Sequence, residues 1–324
     1  MNQQIADVMC RQHGLVLRRQ ALAAGMGADH LARLLRTGEW VAVRWGVYTT
    51  AARWEAVDEY VGRPRLEALA ASLGMVMPHV VSHDSAAYLH GLPILEARPR
   101  LAHITRFGAL GGRTKSGVKH HKAPFAPAQI AFVDDVPVLD LARTVADIAR
   151  EHGSRHGIVA ASSALRAGVT RRQLELAVAP MRSWPQVTVC RLAVDWADGR
   201  CETPGEALVL LMVKELGLGD VEPQFGLRED GRTAWVDLRV GRHLIEFDGR
   251  LKYDDPADLW EEKRRQDWLC GFKLGMTRLS WTDVQVDVWK ATQRRLLRDI
   301  RDTNARFGVN IDDLAPYRTT RGPR

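Results

Sequence analysis

Three acidic residues sit inside two apolar, strand-like runs, Trp235-Val236-Asp237-Leu238 and Leu244-Ile245-Glu246-Phe247-Asp248-Gly249. A carboxylate in such surroundings is costly unless something pairs with it. Between the runs lies Gly241-Arg242, a Gly-X turn of the kind that closes a two-residue hairpin. That turn sets a register in which position 240 faces 243, 239 faces 244, and Asp237 faces Glu246. Asp248, two residues further on, projects from the same face as Glu246 because side chains alternate along a strand. Three like charges so arranged repel one another, and a bound divalent cation resolves the conflict. Oxygen-only donors of this kind select Mg²⁺, Mn²⁺ or Ca²⁺ over zinc. The competing explanation is a solvated strand face that merely carries acids, but it gives no reason for their cross-strand alignment.

At 324 residues the chain is too long for one ordinary domain. No apolar run reaches roughly eighteen residues, and the first residues lack the basic and apolar regions of a signal peptide, so a cytoplasmic protein with no membrane partner is expected. Cys10, Cys190, Cys201 and Cys270 are scattered without a C-x-x-C pair, which argues against a zinc ribbon and fits a reducing compartment. HExxH, P-loop and G-x-S-x-G elements are absent, as are dinucleotide and haem signatures, and no organic cofactor is expected. The formal charge of +7 favours a nucleic-acid partner, although an Arg-rich composition alone gives the same sign.

The pattern predicts an α/β multidomain chain in three segments. Residues 1–52 read as a winged helix-turn-helix: helices over Ile5–Gln12, Leu17–Ala24 and Asp29–Arg36, stopped by glycines, then two short strands within Trp40–Tyr48. On its third helix His30, Arg33 and Arg36 are placed outward, with Arg44 on the wing, and such side chains suit DNA contact. The alternative is a small docking module whose arginines are only solvated.

Residues 53–190 read as an α+β connecting domain, with a short helix over Ser82–Gly91, a strand over Leu101–Thr105, a basic Gly-rich loop from Gly108 to Gly117, and Val136–Leu139 leading into a helix from Asp140 to Arg150. A further helix is expected near Arg171–Val178. His83, His90, His120 and His121 stand here without a carboxylate or cysteine at matching spacing, and they are expected to be structural or surface residues.

Residues 191–324 carry the hairpin within an α-β-β-α-β-α order. Thr203-Pro204-Gly205-Glu206 starts the first helix, Asp255-Pro256 the second, and Thr282-Asp283 the last. Thr203-x-x-Glu206 is a capping box, which by itself explains Glu206 and leaves a catalytic role open. Lys252 follows the hairpin, where a lysine can orient water and offset charge at a phosphate, or simply be exposed. Arg264 and Arg265 on the second helix suit phosphate clamping.

The last 120 or so residues resemble the endonuclease-like family related to very-short-patch-repair endonucleases, within the PD-(D/E)XK nuclease fold. The resemblance rests on Thr203-Pro204-Gly205-Glu206, Pro223-Gln224-Phe225, Val236-Asp237-Leu238, Ile245-Glu246-Phe247-Asp248-Gly249, Glu262-Lys263-Arg264-Arg265-Gln266-Asp267 and Arg278-Leu279-Ser280-Trp281. The front is similar to the antitoxin-type winged helix of AbiEi type IV toxin–antitoxin systems, through Leu17–Gly25, His30–Gly38 and Glu39–Tyr48. The middle is similar to the segment that often joins these two, through Ser82-His83-Asp84-Ser85-Ala86-Ala87 and Leu141–Asp147.

The resemblance implies that Asp237 is the metal-binding Asp of the fold and Glu246 the acidic letter of its signature. Asp248 stands in the lysine position, and Lys252 supplies the positive charge from a migrated position if cutting is retained. The resulting expectation is a DNA-binding protein with a Mg²⁺- or Mn²⁺-dependent endonuclease-like site of Asp237, Glu246, Asp248, Lys252 and Glu206. It would act in phage defence or toxin–antitoxin function, with a cognate toxin or self-association as a further partner. The alternative is a non-enzymatic, antitoxin-like repressor with an inert nuclease fold.

Overall fold

Gly241 opens its turn at φ +55°, a left-handed value that glycine adopts without penalty. The strands on either side, Arg232–Val240 and His243–Asp248, pair antiparallel with Val240 opposite His243 and Arg239 opposite Leu244, as the turn predicts. The computed structural model describes residues 2–96, 99–107, 111–249 and 256–320. The chain is mixed α/β, with three sheets among the described residues. It divides into two compact units, one of Met1–Gly153 with Arg172–Cys190 and one of Ser154–Arg171 with Arg191–Arg324.

In the second unit the hairpin lies inside a five-stranded sheet. The order is Gly275–Ser280, His243–Asp248, Arg232–Val240, Val221–Glu229, Arg318–Thr319. Only the first pair is parallel, and it sets Glu246 beside Arg278. Val221–Glu229 is a strand the sequence reading omits, so the order is α-β-β-β-α-β-α before the short last strand. The Pro204–Leu216 helix is apolar nearly all round, as a helix enclosed by other elements must be, and it packs on the sheet and on the Ser154–Arg166 and Trp289–Phe307 helices. On the opposite side Leu269 and Trp268 of the Pro256–Gly271 helix join Phe225, Val236 and Leu244 in one core. The last helix begins at Trp289 rather than near Thr282. Asp283 instead closes a turn, accepting the Ser280 N–H and hydroxyl at 2.8 and 2.9 Å.

The Pro204–Leu216 helix starts hard against the site. A Cβ on Gly205 would fall 1.9 Å from the ring of Phe247, so only glycine fits this approach. Gly205→Ala is expected to cost about 1–3 kcal/mol by overpacking, read as a lower urea midpoint, and Phe247→Leu in the same chain is expected to restore part of it. An unchanged midpoint would contradict the close packing.

The first unit holds the other two sheets. Helices Gln3–Arg11, Arg18–Ala23 and Ala28–Arg36 accompany a three-stranded sheet ordered Val16–Leu17, Val47–Thr50, Trp40–Arg44, whose first strand lies between the first two helices in the chain. Ile5, Leu31, Leu34 and Trp40 form its core, the inward stripe that the helical spacing predicts. A six-stranded sheet follows, ordered Arg113–Lys115, Val118–His121, Ala102–Arg106, His79–Val81, Val136–Leu139, Ile130–Val133. Arg113–Lys115 is a strand within the stretch read as a loop. The helices His83–His90 and Leu141–His152 end and begin as expected, at a left-handed Gly91 and at Asp140, whose side chain accepts the Arg143 N–H. Among the described residues no helix is long and apolar enough to cross a membrane.

Candidate functional site

The regular ladder breaks at Asp237. On one side the pairs run to Leu238 opposite Ile245 and end there. On the other, an unchanged register pairs Pro223 with Leu238 and Phe225 with Val236, and Gln224, at φ +53°, stands opposite Asp237 without a ladder pair of its own. Asp237, opposite Glu246 in the register that pairs Leu238 with Ile245, forms no ladder pair with it either. Its Oδ2 reaches across and accepts the backbone N–H of Phe247 at 2.7 Å.

Asp237, Glu246 and Asp248 nevertheless line one small cavity of about 170 Å³, together with Glu262, Arg265 and Arg278. Burial lifts the Asp237 carboxyl to about 7, and the negative charges of Glu206 and Glu246 push it the same way. The Phe247 N–H and Arg265 pull back without restoring the ordinary value.

Glu206 stands behind this group, in the first turn of its helix. Its carboxylate accepts the Glu202 N–H and the Thr203 hydroxyl, both at 2.8 Å, and the Gln224 amide at 3.2 Å. It thus caps the helix one residue further out than the Thr203 amide, while its charge acts on Asp237. Burial raises its own carboxyl despite the Glu202 N–H and Thr203 hydroxyl.

Glu246 has cationic company. Arg265 pairs with it at 2.6 Å and with Glu262 at 3.1 Å, and also donates to the Trp235 carbonyl. Arg278 approaches Glu246 at 3.4 Å and pairs with Glu262. Glu262, Arg278 and Gln224 lie inside sequence blocks that carry the resemblance, but spacing alone gives them no role. The signal for Arg278 is a strand-pairing partner, visible only once the parallel register is known. Arg264 is exposed, whereas Arg265 turns inward to Glu246. Lys252 lies outside the described residues.

In the first unit Arg33 and Arg36 are exposed on the third helix, with Arg33 in a surface pair to Glu39 at 3.2 Å. Such a pair contributes little and opens easily. Arg44 folds back, donating to the carbonyls of Glu67 and Ser116 at 3.0 and 3.2 Å. The side chain that projects from the turn between the Trp40–Arg44 and Val47–Thr50 strands is Trp45, 92% exposed. Of the histidines set aside as structural, His83 and His121 meet His103 in one cluster, a second holds Asp84, His103 and His152, and His90 and His120 belong to neither.

No family model matches the chain. Two curated relatives from Mycobacterium tuberculosis, uncharacterized protein MT2308 of strain CDC 1551 and uncharacterized protein Rv2248 of strain H37Rv, are each 26% identical over 152 residues. That match covers 45% of this chain and 52% of each relative, so the chain spans about half the length of the curated relatives it matches.

Proposed function

We propose that the protein binds DNA through its N-terminal helices and hydrolyses phosphodiester bonds at the Asp237–Glu246–Asp248 cavity, as a divalent-cation-dependent endonuclease. The observation that carries this reading is Asp237. A half-buried carboxylate lifted to about 7 by desolvation and by Glu206 and Glu246 is a group in want of a cation. The donors are all oxygens, which fits Mg²⁺ or Mn²⁺. Such an ion, when bound, activates water and offsets charge at the phosphate.

The protein's own residues do the rest. Phe247 N–H fixes the orientation of Asp237, and Glu206 braces the helix start beside it. Arg265 and Arg278 hold Glu246 while the site waits and are placed to turn toward a phosphate. Lys252 is assigned the water-orienting role from the sequence. Arg33, Arg36 and exposed Trp45 are assigned to backbone contact and stacking. The resemblance to the short-patch-repair and AbiEi families supports a role in phage defence or toxin–antitoxin function.

A second reading is favoured by the same arginines. With Glu246 already neutralised by Arg265 and Arg278, the unit works without a metal, as an inert fold in an antitoxin-like repressor that docks a toxin or another copy of itself. Plasmid and linear DNA incubated with Mg²⁺, Mn²⁺ or EDTA separate the two. The nuclease reading expects nicking or cutting with either metal and none in EDTA. Intact DNA under every condition, with retarded mobility in gels, establishes the second.

A further inference from the structure

Four histidines and two carboxylates of the first unit meet beside its six-stranded sheet, far from any spacing motif. His103 and His121 come from neighbouring parallel strands, in a register that sets Thr105 opposite His121. His83 begins the His83–His90 helix, and His152 ends the Leu141–His152 helix. The His83 and His121 rings stack with centroids 3.7 Å apart, and His121 Nε2 lies 3.0 Å from His103 Nδ1. Two ring nitrogens at that distance share either a proton or an ion.

We propose that His83, His103 and His121 bind one borderline transition-metal ion of the Zn²⁺ class, leaving a fourth coordination position open. The site is separate from the carboxylate cavity and independent of the nuclease reading. One ligand atom from each of the three lies within 4.8 Å of the others. Zn–N bonds of about 2.0–2.1 Å in a tetrahedron put nitrogens roughly 3.3 Å apart, and binding would draw the three together and turn His83 out of its stack on His121, because a ligated ion lies in the plane of each ring.

The outer nitrogens are already oriented. His83 Nδ1 lies 3.0 Å from the Ser82 hydroxyl and 4.0 Å from Asp147 Oδ2, an oxygen that is buried and has no hydrogen-bond partner. His103 Nε2 points at Asp84 Oδ2, 3.9 Å away, which directs its Nδ1 lone pair inward. Both carboxylates stand just beyond hydrogen-bond distance of the rings, and closing on them would give the usual outer arrangement of a histidine metal site. His83 also holds φ +52°, a value a non-glycine residue keeps only when its surroundings impose it.

Lys119, Arg143 and Arg150 oppose a dication from nearby, and Asp84, Asp147 and Glu151 balance them. The other cluster, Asp84 with His103 and His152, is less suited to take the ion. Asp84 already accepts from His152 Nε2 at 2.8 and 3.0 Å and serves better as the outer carboxylate.

The test uses the full chain, stripped with chelator and titrated with Co²⁺. One equivalent is expected to give the intense visible band of a low-coordinate cobalt–imidazole site, distinct from the weak band of any Co²⁺ held by the oxygen-only carboxylate cavity, and Zn²⁺ is expected to displace it. Asp237→Asn, in the other unit, and His90→Gln, whose ring bonds the Leu139 carbonyl at 2.8 Å, should leave the band unchanged. Half-buried His121→Gln and buried His83→Gln should each weaken binding by more than about 100-fold, since even outer partners are worth 10–100-fold. The wild-type titration stands whether or not a variant folds. A wild type that gives no band contains a hydrogen-bonded histidine network only, and the proposal fails. It fails equally if the folded His83 and His121 variants bind as the wild type does, or if binding is lost in Asp84→Asn and His152→Gln but kept in those two.

Discussion

Asp237→Asn is expected to lower DNA cleavage by more than about 100-fold, because even groups that merely orient metal ligands are worth 10–100-fold. In EDTA at pH 8 the same substitution is expected to raise the melting temperature. The opposite signs have one cause. The folded Asp237 carboxyl sits at about 7, against 3.8 in an unfolded chain. Below pH 4 both states keep the proton and the residue contributes nothing to pH dependence. Between these values the unfolded chain releases the proton while the folded chain holds it, so stability falls as pH rises. At about 1.4 kcal/mol per pH unit the loss by pH 8 is roughly 4 kcal/mol.

Asparagine keeps the acceptor for Phe247 N–H and removes the charge that Glu206 and Glu246 repel. A flattened pH profile between 4 and 7, measured by thermal melts, is therefore the signature. Adding Mg²⁺ at pH 8 should recover the stability of the wild type and leave Asp237→Asn unmoved. A variant with the wild-type pH slope, or one that is less stable at pH 8 in EDTA, would remove the electrostatic argument for a metal, whatever the cleavage assay shows.

How much of this was readable in advance depends on the distance over which each residue is fixed. The hairpin register was legible because Gly241-Arg242 sets it locally and every strand pair follows from the turn. The missing ladder pairs at Asp237 were not, since one of them involves Gln224, in a strand that lies on the other side and leaves no strong pattern of its own. Helix ends at Gly91, Asp140, Thr203 and Gly217 were legible for the same local reason. Arg278 joins Glu246 through a parallel pairing that crosses an intervening helix, and such pairings carry no local sequence signal. The histidine cluster is the extreme case. His83, His103, His121 and His152 are 20, 18 and 31 residues apart and are gathered by two helices and two strands, so a search by ligand spacing passes over them. Arg44 shows the converse, a residue with the right charge in the right segment whose guanidinium the fold spends on two carbonyls.

Arg264 and Arg265 are adjacent and chemically identical, yet about 100° apart around their helix, and their substitutions are expected to differ sharply. Arg265→Ala leaves Glu246 without its 2.6 Å partner and Glu262 without one of two, in a cavity where their charges are only partly solvated. Removing one member of a fully buried pair costs about 3–5 kcal/mol. With Arg265 25% and Glu246 13% exposed at the side chain, a loss of about 2–3 kcal/mol is expected in EDTA. Exposed Arg264→Ala should stay within about 0.5 kcal/mol. The two proposed functions part at the next step. If the cavity takes Mg²⁺, the Glu246 of Arg265→Ala, left with Arg278 alone, attracts the ion more strongly, and Mg²⁺ should raise its melting temperature by more than it raises that of the wild type. If the arginine has replaced the metal, Mg²⁺ leaves Arg265→Ala as unstable as EDTA does. The comparison needs only denaturation curves with and without the ion, so it reports on the site even where no DNA substrate is cut.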